Sequence, residues 1–197
     1  MTYPAHGPSA LFVILSGPSG SGKSTLMSAF MRRRADFVRC LSVTTRPPRG
    51  TEQDGIDYHF VDEAEFLRRI ETGAMLEHAQ VFGKYRYGTL RAVVEGRLAA
   101  GLGVIKDMDV QGAAQVRTTF PNAVQIFVVP PTRAEIERRL RGRGTDADDV
   151  IARRLAEADR ELERWRDYDY LIINDDVERA ATDLDLIVRA HRLRIRG

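Results

Sequence analysis

The sequence has 197 residues, 43% hydrophobic and 29% charged, with a formal net charge of +2. This composition supplies one well-buried core and excludes a disordered chain, and so small a positive excess argues against a nucleic-acid surface. A lone Cys40 and four histidines exclude a disulfide framework and offer no zinc cluster. The apolar run at 10–15 is too short to span a bilayer and lacks a signal peptide's basic flank, so the expectation is a cytoplasmic protein with no membrane and no nucleic-acid partner.

In chain order, the continuous apolar run LFVILS at 11–16 predicts a strand buried on both faces of a parallel sheet, and a helix over 23–34 follows it. Strands are predicted at 104–107, 124–129 and 170–174. Between them lie stretches of helical periodicity at 90–100, 111–120, 133–143 and 150–165, and 177–196 closes the chain as a helix. This alternation predicts βαβ units, hence an α/β fold with a parallel sheet flanked by helices. Residues 42–89 break the rhythm with Pro47, Pro48, Gly50 and Gly55, then an alternating stretch at 57–61 and a second β-like run at 75–82. They read as an inserted lobe. The stretch 138–154, dense in arginine and aspartate, reads as a solvated, mobile flap.

Gly17-Pro18-Ser19-Gly20-Ser21-Gly22-Lys23-Ser24 fits the pattern G-x-x-x-x-G-K-[ST], set between a predicted strand and a predicted helix as that motif requires. Composition alone would produce such a match by chance with a probability of roughly 0.002. Glycines let successive backbone N–H groups turn inward on a polyphosphate at the helix N-terminus. Lys23 is one of only three lysines, with Lys84 and Lys106, among 30 basic residues. It would reach the outer phosphates of ATP, and Ser24 would ligate Mg²⁺. Many P-loop proteins share this much, so the acceptor side has to decide the activity.

In Ser42-Val43-Thr44-Thr45-Arg46-Pro47-Pro48-Arg49-Gly50-Thr51-Glu52 two arginines bracket two prolines. A polyproline-like course would project Arg46 and Arg49 from one side about 9 Å apart, as a clamp for a phosphate. An exposed basic turn accounts for the stretch equally well. Asp107 ends the run 103–107, where it would either face the Mg²⁺ shell or cap the next helix. Read together with Asp57-Tyr58-His59-Phe60, Glu77-His78-Ala79-Gln80, Tyr87-Gly88-Thr89 and Asp107-Met108-Asp109-Val110-Gln111-Gly112, these residues resemble the guanylate kinase family over about 11–195. The S-x-T-T-R-x-x-R-x-x-E run is the most specific mark.

The resemblance implies a three-layer P-loop core (10–41, 90–131, 166–197) carrying a GMP-binding lobe (42–89) and a helical lid (132–165). It implies transfer of the γ-phosphoryl of MgATP to GMP, and to dGMP. By the same resemblance Arg46, Arg49, Tyr58 and Tyr87 hold the GMP phosphate, with Glu52 in the same run. Ser42, Glu77, Thr89 and Asp109 read the guanine, Arg139, Arg143 and Arg154 act from the lid, and Thr25 and Asn174 belong to the ATP side. An ionised carboxylate such as Glu77 is an acceptor-only group, able to take both N1–H and N2–H₂ of guanine.

Two departures stand out. The 83–88 segment reads Gly-Lys-Tyr-Arg-Tyr-Gly, one residue longer than the family's usual run, so either Tyr85 or Tyr87 could reach the phosphate. Lys106 replaces a commonly apolar neighbour of the carboxylate. Two rival readings are a related P-loop kinase for a ribose phosphate and a non-catalytic guanylate-kinase-like module that binds protein. Monomer and homodimer both remain open.

Overall fold

Strand β1 (Phe12–Ser16) is buried at all five positions because it lies at the middle of a sheet covered on both faces. The computed structural model describes residues 10–81, 84–142 and 148–194. Within them β1 pairs with β7 (Gly103–Asp107) on one side and β8 (Val124–Val129) on the other. Strand β2 (Phe37–Arg39) extends the sheet beyond β7 and β9 (Tyr170–Ile173) extends it beyond β8, giving the order β2-β7-β1-β8-β9 with every pairing parallel.

The two-residue period of a strand sends alternate β1 side chains into different cores. Val13 and Leu15 meet Leu26 and Phe30 of α1 (Lys23–Arg33) and Leu184 and Val188 of α7 (Val177–Arg192). Phe12 and Ile14 point the other way, toward Val94 of α3 (Arg91–Ala99) and Ala113 and Val116 of α4 (Val110–Thr119). Helices on both faces of a parallel sheet make the expected three layers.

A second sheet interrupts the alternation. Strands β3 (Val43–Thr44), β4 (His59–Phe60), β5 (Met75–Val81) and β6 (Tyr85–Leu90) lie in the order β4-β3-β6-β5, with β6 antiparallel to both neighbours. Helix α2 (Glu63–Glu71) closes one side, started by Asp62, whose side chain accepts from the Glu65 N–H. Phe66 from α2 joins Val43 and Met75 in a small core of their own, with Val61, Ile70 and Leu90 packed against it. The inserted lobe thus matches the expectation, while α2 and the three-residue β2 were not anticipated.

The stretch expected as a solvated flap is organised by packing instead. Helix α5 (Arg133–Arg141) and helix α6 (Asp148–Leu162) share a buried seam of Ile136, Leu140, Ile151, Leu155 and Ala158. Their arginines lie outside that seam, Arg138 on Glu135 and Arg141 on Glu137 and Asp148. A single 3₁₀ turn (Glu163–Asp167) leads from α6 toward β9. Among the described residues no helix is long and apolar enough to cross a membrane.

Because Phe66 is fully buried at the centre of a core separate from those of the main sheet, Phe66→Ala should lower the unfolding free energy by about 3–5 kcal/mol. Denaturant unfolding measures this.

Candidate active site

The loop 17–22 leaves the carboxyl end of β1 and enters α1 through Gly22, which is left-handed at φ +86. Helices α2, α4, α5 and α7 are each started by a capping side chain, from Asp62, Asp109, Thr132 and Asp176. The first turn of α1 has neither a side-chain cap nor an acid. Its N–H groups are therefore left for an anion, where the helix dipole favours one. Lys23 folds back over the loop, donating to the carbonyls of Gly17 (2.6 Å) and Pro18 (3.0 Å).

The loop is fixed from outside as well. Gly17 has φ +134, and a Cβ there would come within 2.2 Å of the Val128 carbonyl oxygen on β8. Asn174, just past β9, is buried and donates from Nδ2 to the Ser21 carbonyl (2.8 Å). Arg139 of α5 donates to the carbonyls of Ser21 (3.2 Å) and Asn174 (2.9 Å) while Glu135 holds its Nε. Gly20, Gly22, Thr25, Arg139 and Asn174 line one cavity of about 370 Å³ on this side of the loop.

Across the loop the parallel register sets Leu15 beside Asp107. Ser24 donates to Asp107 Oδ2 at 2.8 Å, while Asp109 caps α4 by accepting from the Gly112 N–H at 2.7 Å. The helix-capping alternative for Asp107 therefore falls to Asp109. Ser24 and Asp107 also line a polar cavity of about 300 Å³ that continues to Ser42, Asp57, Tyr58, Tyr87 and Lys106.

In contact with Tyr58 and Tyr87, Arg46 is only 4% exposed. Its guanidinium donates to Tyr87 Oη (3.0 Å), the Pro47 carbonyl (2.9 Å) and Glu52 (2.9 Å), and lies 5.2 Å from the centre of the Tyr58 ring. Arg49 stays exposed, with its backbone N–H on the other oxygen of Glu52. One arginine is therefore seated and its neighbour is exposed. Tyr87, not Tyr85, reaches this cavity. Glu77 of β5 is buried, accepts from the Thr89 hydroxyl, and has its pKa pushed up by burial against the pull of Lys106.

Comparison with known proteins agrees with this geometry. The guanylate kinase family model matches residues 9–191. The chain belongs to the guanylate kinase family. It is 49% identical over 184 residues to the guanylate kinase of Escherichia coli K12, covering 92% of this chain and 88% of that protein. The guanylate kinase of Nitrosococcus oceani is also 49% identical, with 93% and 90% covered. Among solved structures, guanylate kinase from Anaplasma phagocytophilum superposes with a TM-score of 0.72 at 33% identity, covering 95% of this chain and 88% of that one. A shikimate kinase from Acinetobacter baumannii, at 12% identity and a TM-score of 0.50, shares the fold alone.

Of the residues that the family resemblance singled out, the structure brings Ser42, Tyr58, Tyr87 and Asp107 around one cavity, with Arg46 in contact with Tyr58 and Tyr87. Glu77 and Thr89 form a buried pair, and Arg139 and Asn174 lie on the phosphate loop. Arg154 sits half-buried on α6, and Arg143 lies outside the described residues. Glu52 spends both carboxylate oxygens on Arg46 and the Arg49 amide, so it holds the arginines.

Sequence reasoning missed Glu161. It resembles any charged position on α6, yet its carboxyl lies near enough to the Ser19 N–H and the Lys23 ammonium to interact with both, so it rests against the phosphate loop. Burial raises its pKa from 4.5 to about 7 against that lysine, with Glu157 and Asp109 adding to the rise. The folded state then binds more protons than the unfolded chain between those values, so this residue makes stability fall as pH rises through the window. Glu161→Gln should melt like the parent at pH 4.5 and increasingly above it toward pH 7, read by thermal denaturation across that range. The same change removes a competing negative charge and should tighten ATP binding by about fivefold, measured by calorimetry.

Proposed function

We propose that this chain acts as a guanylate kinase whose phosphoryl transfer runs between the two sides of the Ser24–Asp107 pair. The observation that carries this reading is the continuity of one polar cavity from the phosphate-loop serine to the Arg46–Tyr58–Tyr87 cluster. Residues 17–24 cradle the triphosphate of ATP, with Thr25 and Asn174 on the same side. Lys23 exchanges its two carbonyl partners for the outer phosphates. Arg46, Arg49, Tyr58 and Tyr87 hold the phosphate of GMP, while Ser42, Glu77, Thr89 and Asp109 face its base. The core, the lobe 42–89 and the lid 132–165 are then the three working parts.

Catalysis is positioning and charge. The acceptor phosphate oxygen is already ionised, so it attacks the γ-phosphorus without a strong base; its bond to phosphorus forms as the bridge to the β-phosphate breaks, and ADP leaves. Lys23, with Arg139, Arg143 and Arg154 from the lid, stabilises the charge spreading over the transferred group. Ser24 and Asp107 offer the hard oxygen pair that suits Mg²⁺ beside phosphates. They would hold that ion, which when bound supplies charge neutralisation of the donor phosphates. Glu77 accepts from N1–H and N2–H₂, so a base without those donors leaves it unpaired. The ribose phosphate alternative has no use for that carboxylate, and a protein-binding module has no use for Lys23.

Turnover with GMP, followed by ADP release, tests the scheme. Lys23→Met should reduce kcat by roughly a hundredfold or more, as expected for a group acting on the transferred phosphoryl. Arg46→Ala should chiefly raise the KM for GMP, by about tenfold or more, as for a lost charged hydrogen bond. Equal wild-type rates with AMP and GMP would overturn the guanine assignment.

A further inference from the structure

Lys106 lies opposite Ile14 in the middle of the main sheet, and it is 4% exposed. A buried ammonium is costly unless its donors are used. Among the described residues its one hydrogen bond is to Ser42 Oγ, at 2.7 Å, which leaves two of its three donor positions open. The side chain nonetheless lines the acceptor cavity beside Ser42, Tyr58 and Tyr87. Because Ser42 Oγ accepts from the ammonium, its own hydrogen is left to donate elsewhere, so the two side chains offer three donor hydrogens and the ammonium can accept nothing.

Glu77 stands close enough to Lys106 for their charges to interact, with the Thr89 hydroxyl on one of its oxygens and Asp109 and His78 as the other charged or titratable groups acting on it. The buried Glu77 acceptor therefore stands near a donor pair that lines the cavity, the buried Lys106 and the half-buried Ser42. The edge of guanine carries the complementary order: N2–H₂ and N1–H as donors, then O6 as acceptor.

We propose that the Lys106 ammonium, acting with the Ser42 hydroxyl that it contacts, reads the 6-oxo group of the purine and is a specificity-determining residue of this chain. The proposal rests on the guanylate kinase reading and adds a second selection to the one made by Glu77. A 6-amino group, as in adenine, would turn its own donors toward an ammonium that can accept nothing, leaving both unpaired. Lys106 takes no part in the phosphoryl chemistry, so its effect belongs in KM rather than in kcat.

The test compares GMP, IMP and 6-thio-GMP, which share N1–H. IMP lacks only the 2-amino group, and 6-thio-GMP carries a weak sulfur acceptor in place of O6. Lys106→Met, shown to be folded by thermal melting, should raise the KM for GMP and for IMP by a similar factor of about tenfold or more, with kcat little changed. For 6-thio-GMP the change should stay within about threefold, since the contact is already weakened there. Equal losses for GMP and 6-thio-GMP, or no loss with GMP, would overturn the proposal and assign Lys106 to supporting Glu77 or the sheet. The wild type supplies a check that needs no variant: it should prefer GMP over 6-thio-GMP by about tenfold in kcat/KM, and parity between them overturns the proposal. A wild type that turns over no GMP would sink the guanylate kinase reading itself, whereas GMP turnover with either failure above sinks only the role of Lys106.

Discussion

The parallel pairing of β1 with β7 is the constraint on which the rest of the site depends. Its register puts Leu15 against Asp107, so the two strands finish side by side and release the phosphate loop and the carboxylate at the same edge of the sheet. The 2.8 Å hydrogen bond from Ser24 to Asp107 follows from that shared edge. It also explains why the cavity lined by Ser24 and Asp107 opens at that edge, since a right-handed βαβ connection leaves the carboxyl ends of adjacent parallel strands open to a ligand. A slip of one residue between β1 and β7 would turn Asp107 into the core and bring Lys106 outward, and both ends of the reaction would lose their shared boundary.

Around this edge the protein places three small, separately packed pieces. The main sheet has its two cores, the inserted lobe has Phe66 with Val43 and Met75, and the α5–α6 pair has its own apolar seam. Each contributes polar side chains to the candidate site: Arg46 and Tyr87 from the lobe, Arg139 and Glu161 from the helical pair, Lys23 and Asp107 from the sheet. Arg46 is held by four protein partners, which in the proposed function would spare much of the rotamer entropy a free arginine loses on binding.

What the sequence revealed followed how local each signal was. The phosphate loop is contiguous, and strands buried on both faces leave unbroken apolar runs, so β1, β7, β8 and β9 could be placed within a residue or so. Helix α2 escaped because its apolar positions, Phe66 and Ile70, lie inside a segment whose alternating pattern and turn residues suggested strands. Strand β2 is too short to show a period. In the site, the S-x-T-T-R-x-x-R-x-x-E run pointed to Arg46 but could not show that Glu52 and Tyr87 would bury it. Glu161 left no trace in the sequence, since its role arises from the fold of α6 over the loop. Lys106 was visible only as a blemish in an apolar strand, and its contact with Ser42 across 64 positions supplies the reason.

The first glycine of the phosphate loop has a different meaning from the lysine six positions later. Gly17 is demanded by the carbonyl of Val128, a piece of sheet backbone. A descendant of this chain that lost its chemistry but kept its architecture would have to retain that glycine, while the contacts of Lys23 with the Gly17 and Pro18 carbonyls impose no comparable steric demand. Glycine at this position therefore records ancestry of shape, and only the lysine bears witness to a working kinase.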